Sequence, residues 1–219
     1  MIKLDILSDP VCPWCMIGKA RLDSALEARP GHRFEIEWHP FQLNPDMPKG
    51  GMERAAYLEA KFGGRAGAAK AYAAVDAAAH DSGIAIDWNT IPRIPNTLDA
   101  HRLIHWAGLE RRQTPVVAAL FRAYWREGRD IGDHAVLADL ADGAGLDASM
   151  ILRLLASGAD AQDIAARDAH ARARGVTGVP TFIIANQHVV PGAQPAELWL
   201  QLIDELAGQE DGQSSGQAE

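Results

Sequence analysis

Cys12-Pro13-Trp14-Cys15 is the stretch whose residue types and spacing bear most directly on chemistry, and its two thiols are the only cysteines in the chain. A strand-like run precedes it and a helical pattern follows. At the first turn of a helix, unpaired backbone N–H groups and the positive end of the macrodipole favour an anion, so a thiol there gives up its proton more readily. Cys12 is therefore the expected thiolate. Two intervening residues put Cys15 within bridging reach, so a reversible disulfide closes with little backbone movement. The division of labour follows from exposure: Cys12, at the helix tip, attacks a disulfide, and Cys15, one turn in, resolves the mixed disulfide. Pro13 fixes φ and removes a donor, and Trp14 offers an apolar face beside the sulfur, so both are read as substrate-contacting. Two other readings of the pair stand beside this one, half of a zinc site and an inert buried pair; a self-contained four-cysteine site is excluded by the count.

Gly175-Val176-Thr177-Gly178-Val179-Pro180-Thr181-Phe182 puts a proline at the start of a predicted strand, where an X-Pro bond can be cis or an ordinary trans edge proline. In the cis case the Val179 backbone turns toward the cysteines and can pair with an extended substrate. Thr177 and Val179 join the expected substrate-contacting set. Other polar residues carry weaker signals. His39 could stabilise the Cys12 thiolate or simply be a loop residue before a proline; Glu35 and Glu37 could take a proton from Cys15 or face water. His101 and His105 share a helix face, yet His-Arg-Leu-Ile-His lacks the glutamate of a zinc hydrolase. No metal site is expected.

These groups need a scaffold. Residues 2–7 and the alternating stretch 33–38 read as strands, with a helix over 16–28 between them, so the chain opens strand, cysteine turn, helix, strand. From Gln42 to Arg174 the pattern is helical almost throughout, with five to seven helices expected. They include 54–62 and 66–80, one capped by Asn96 over 97–106, one capped by Thr114 with Pro115 at its first position, and two opened by Asp133 and Asp147. Strands return at 181–184 and 188–190 around an Asn186-Gln187 turn. Pro195 opens a last helix with Trp199, Leu202, Ile203 and Leu206 on one stripe. Residues 208–219 read as a disordered, solvated tail.

Composition narrows the function class. A chain of 219 residues with 47% hydrophobic and 23% charged residues is globular, and by size roughly 70% of its extended-chain surface can be buried without disulfides or metal. The net charge of −8 argues against a nucleic-acid or anionic-membrane partner. No apolar run nears a membrane span and the N-terminus lacks a signal pattern, so a reducing cytoplasm is the expected location, for a monomer or homodimer.

With these motifs in place, the chain resembles the DsbA family of thioredoxin-like proteins. The segments Trp38 to Pro45, Pro95 to His101 and Gly128 to Asp133 resemble more narrowly its FrnE-like branch. The resemblance, over residues 1–207, implies an α/β thioredoxin fold (1–43 and 176–207) with a large all-helical insertion domain (44–175). It also implies disulfide oxidoreductase or isomerase activity, with Cys12 as nucleophile, Cys15 as resolving thiol and Pro180 as cis-proline. The expected substrates are protein or small-molecule disulfides, recycled by cellular thiol reductants. No bound cofactor is expected, and glutathione is a candidate co-substrate. Best-known DsbA proteins are exported oxidants, and an unexported member in a reducing pool is expected to act as reductase or isomerase. A glutathione-dependent isomerase or transferase similar to 2-hydroxychromene-2-carboxylate isomerase is the alternative; such proteins share an asparagine segment like Pro95-Asn96-Thr97, which adds Asn96 to the substrate-binding set. They typically carry serine where this chain has Cys12.

Overall fold

The structure, a computed structural model, describes residues 1–214. Its core is a four-stranded sheet in the order β2-β1-β5-β6, built from β1 (Ile2–Ser8), β2 (Phe34–Pro40), β5 (Thr181–Ile184) and β6 (His188–Pro191). β1 pairs parallel to β2 and antiparallel to β5. The parallel pair needs a crossover, which α1 (Pro13–Ala28) provides. Alternation along β2 buries Phe34 and Trp38 while Glu35 points out, as its sequence period requires.

Between β2 and β5 come α2 (Arg54–Phe62), α3 (Arg65–Asp81), α4 (Leu98–Leu109), α5 (Gln113–Trp125), α6 (His134–Gly143), α7 (Ala148–Ser157) and α8 (Ala161–Ala173). This insert also holds a two-residue ladder of β3 (Met52–Glu53) and β4 (Arg93–Ile94), too short to carry a periodic signal. Helices α4, α5 and α8 pack against β2, so insert and sheet share one apolar core. Asp133 and Asp147 cap α6 and α7 through their carboxylates as read from sequence.

Four local expectations are corrected. Thr114 does not cap α5, which starts a residue earlier; its hydroxyl instead accepts from Trp38 Nε1 at 3.0 Å. Asn96 Oδ1 accepts from Leu98 N–H at 2.9 Å, but α4 begins at Leu98 and extends to Leu109. The β5–β6 turn centres on Ala185-Asn186, both at positive φ, rather than on Asn186-Gln187. Finally, α9 (Ala196–Ser214) runs past Gly208 into the segment expected to be disordered, because glutamine and glutamate propagate a helix well; the rest of that expected tail, 215–219, lies outside the described residues. Trp199, fully buried, locks α9 to β5 through an edge contact with Phe182 at 4.7 Å. Among the described residues no helix is long and apolar enough to cross a membrane.

Candidate functional site

The turn after β1 delivers both cysteines. Cys12 N–H donates to Asp9 C=O at 2.9 Å, Cys12 takes extended angles as the N-cap of α1, and Pro13 occupies the first helical turn. An N-cap side chain normally supplies an acceptor for first-turn N–H groups, and the Cys12 thiol supplies none. A thiolate at that position would. The thiol instead donates to Val179 C=O at 3.6 Å, which brings the two sequence motifs together across the fold. The Val179–Pro180 peptide is cis. Gly18 lets α1 pass this loop: a Cβ there would stand 3.0 Å from Pro180 Cγ.

The expectation that Cys12 is exposed at a helix tip is corrected. Cys12 is 3% and Cys15 1% accessible, because the insert folds an aromatic wall over the turn. Cys12 opens onto a cavity of about 300 Å³ that it shares with Pro13, Trp14, Tyr57, Trp88 and Val179. That wall is itself rigid: Trp88 stacks on Tyr72 at 4.0 Å and meets Trp125 edge-on, and the Arg54 guanidinium lies 5.4 Å from the Tyr72 and Trp88 rings. Sequence reading assigned Tyr57, Tyr72 and Trp88 no role.

Burial, then the hydrogen bond and the charge of Cys12, push the Cys15 thiol well above its ordinary range. The Asp9 backbone N–H and the Ser8 hydroxyl act the other way, offering donors to a Cys15 thiolate. Burial therefore favours the protonated Cys15 thiol in the reduced pair.

Asp9, in the turn between β1 and Cys12, is wholly buried under the cysteine turn. Its carboxylate accepts from Leu43 N–H (2.6 Å), Val11 N–H (3.3 Å) and the Thr97 hydroxyl (3.4 Å), joining the turn to the start of the insert. Burial raises its pKa to about 7 despite those donors. His101 Nε2 lies 3.8 Å away without a hydrogen-bond partner, and burial, with Arg167 nearby, lowers its pKa to about 3. A carboxylate three residues before the first cysteine was the available signal.

Other sequence candidates scatter. His39 does not reach Cys12: its Nε2 meets Asp5 Oδ1 at 2.6 Å, and its Nδ1 meets an Arg167 Nη at 3.3 Å, because alternation on β2 turns it to the opposite side of the Val179 loop. Asn96 does not line the cysteine cavity; its amide is consumed by Leu98 N–H, Gln42 Nε2 and Met47 C=O. Thr177 is exposed on a separate groove with His39. Glu37 is held by Lys3 Nζ at 3.0 Å, away from Cys15. His105 pairs with Arg167 and does not join His101. Among the described residues, Asp5, Glu37 and His39 bring potential metal-binding atoms within 4.8 Å of one another, but the Lys3 ammonium already bridges both carboxylates.

A strand-turn-helix dithiol facing a cis-proline loop, with helices inserted before the last two strands, defines a thioredoxin-like protein of the DsbA class. The DSBA-like thioredoxin domain family matches residues 3–204, and the chain belongs to it. YwbO of Bacillus subtilis, described as uncharacterized, is 28% identical over 206 residues, covering 93% of this chain and 96% of YwbO. A Streptomyces coelicolor structure described as a probable DsbA oxidoreductase is 35% identical at TM-score 0.81, covering 95% of this chain and 91% of that one. The fold is shared as well with 2-hydroxychromene-2-carboxylate isomerase (18% identity, TM-score 0.70, 99% and 100% covered). It is shared too with DsbM of Pseudomonas aeruginosa, a cytosolic disulfide reductase solved with GSH (19%, TM-score 0.68, 94% and 98% covered).

Proposed function

We propose that this DsbA-family chain is a cytosolic thiol-disulfide oxidoreductase that reduces or isomerises protein and small-molecule disulfides through Cys12 and Cys15. The observation carrying this reading is Cys12 at the N-cap of α1, donating to Val179 C=O beside Pro180 and opening onto the aromatic cavity. Cys12 thiolate attacks one substrate sulfur, and the other leaves as a thiolate. Cys15 then loses its proton to that leaving thiolate or to solvent and attacks Cys12 Sγ, which closes Cys12–Cys15 and releases the captured sulfur. Two electrons pass from dithiol to substrate, and a cellular thiol such as glutathione returns them. Pro13, Trp14 and Val179 shape the substrate channel.

The test uses a glutathione mixed disulfide as substrate. Cys12→Ser should lower turnover by at least about 10³-fold, because a hydroxyl is far less nucleophilic than a thiolate at neutral pH. Cys15→Ser should still capture substrate but accumulate a covalent adduct visible by mass spectrometry. Equal activity in both variants refutes the assignment. Glutathione binding with isomerase turnover, but without disulfide reduction, would instead favour the glutathione-dependent alternative.

A further inference from the structure

We infer that the groove on the far side of the Thr177–Pro180 loop selects acidic polypeptide, so that this enzyme prefers disulfides flanked by aspartate and glutamate; the inference rests on the thiol-disulfide reading above. The groove holds about 1090 Å³ between α8 and the β5–β6 strands, and Gly178 and Val179 line both it and the cysteine cavity. A chain whose sulfur sits at Cys12 therefore passes directly into it.

Spacing puts Arg167 and His170 of α8 on one face, at i and i+3, and Arg174, which caps the helix C-terminus, follows along the same groove wall. The two guanidinium charges are not neutralised by carboxylates. Arg167 donates to His105 Nδ1 and His39 Nδ1, both at 3.3 Å, which are ring nitrogens and not carboxylates. Among the described residues, the side chains of Arg174 and His170 have no hydrogen bond or ion pair. Arg172, on another face, shows the contrast: Asp168 holds its Nε at 3.1 Å. Among the described residues, the one carboxylate lining the groove is Asp5, already engaged by Lys3 at 3.0 Å and His39 at 2.6 Å. In a chain of net charge −8, two guanidinium groups without carboxylates converge on one groove beside the reactive turn, and together they favour an anionic partner.

The loop supplies the means of holding a polypeptide rather than a free anion. Among the described residues, the backbone N–H groups of Thr177, Gly178 and Val179 make no hydrogen bond, so an extended segment can pair with them. Ile183 and the 62% exposed Val189 give the groove an apolar strip for alternate side chains.

The test compares nine-residue peptides whose central cysteine carries a glutathione mixed disulfide, flanked by three glutamates or three lysines. Exposed pairs are individually weak, and two or three together predict a kcat/KM about 10-fold higher for the glutamate peptide at low salt, falling toward equality near 0.5 M salt. Arg174→Glu, at an exposed side chain without partners, should remove or invert the preference. Serine versions of both peptides, followed by fluorescence anisotropy, read the groove without any turnover. Hydroxyethyl disulfide reduction by the unmodified protein checks the parent reading separately. Charge-blind binding and kinetics overturn the inference even if hydroxyethyl disulfide is reduced. Equal affinity for a thymidine oligomer of the same charge overturns the polypeptide assignment.

Discussion

The loop Thr177–Pro180 divides two recesses of opposite character. On one side lies the cysteine cavity, about 300 Å³, walled by rings from α3, α5 and the Trp88 turn, with Arg54 and Lys61 also lining it. On the other is the groove of about 1090 Å³, open and lined by Arg167 of α8 and by Arg174 at its C-terminus. The first is suited to sulfur chemistry, since the burial of Cys12 strengthens every interaction with the reacting thiolate. The second is suited to recognition, where charge acts through solvent and governs encounter more than affinity. The difference shows how one loop can serve both tasks: Val179 presents its carbonyl to Cys12 while the same turn forms the groove wall.

Perturbing the floor of the cavity gives the largest expected effect. Asp9 and His101 lie beneath it, both fully buried, whereas the groove's own pair of this kind, Asp5 with His39, includes a half-buried histidine. The folded pKa of Asp9, about 7, is above its unfolded 3.8, so its contribution to stability is complete below 3.8 and lost as pH rises through 7. The folded pKa of His101, about 3, is below 6.5, so its contribution is absent near pH 3 and complete above 6.5. The two trends oppose. In Asp9→Asn the histidine is uncompensated, and stability should climb between pH 3 and 6.5 by at most about 4 kcal/mol relative to the unmodified protein. Urea unfolding across that range checks this, and parallel curves for the two proteins would contradict it.

Next comes the cavity wall alone. Trp88→Ala removes the stack on Tyr72 and the edge contact with Trp125, and should cost about 2 kcal/mol at this half-buried site. Turnover of small apolar disulfides should fall about 10-fold while acidic-peptide binding stays the same, if the two recesses are separate. A matching loss in peptide binding would break the comparison. The smallest effect is expected at the shared loop: Gly18→Ala brings a methyl against Pro180 Cγ, shifts the turn by a few tenths of an ångström, and should lower both activities together by about 3-fold. Steady-state kinetics and anisotropy on the same preparation distinguish a joint loss from a selective one.

What could be read from the residues was what depends on neighbours in sequence. Cys12 and Cys15 sit at the start of one helix, Pro180 immediately precedes a strand, and Asp133 and Asp147 cap their helices within three residues. What could not be read depends on distant arrivals. Asp9 becomes a buried acid only because Leu43 and Thr97 close over it, and Asn96 is consumed by Gln42 and Met47. Thr114 leaves its capping role because Trp38 comes within 3.0 Å of its hydroxyl. Cys12 is buried by rings from the insert, whose place over the turn no local pattern encodes. The α8 charge face was hidden because alanines and charges surround that helix on every side.

The central claim concerns the reactivity of one buried sulfur, and differential alkylation of the reduced protein tests it most directly. With iodoacetamide at pH 7 and peptide mass spectrometry, Cys12 should be modified at least about 100-fold faster than Cys15, since the thiolate is the nucleophile and Cys15 keeps its proton. Equal rates at the two positions, or modification of neither until the protein is unfolded, would contradict the account.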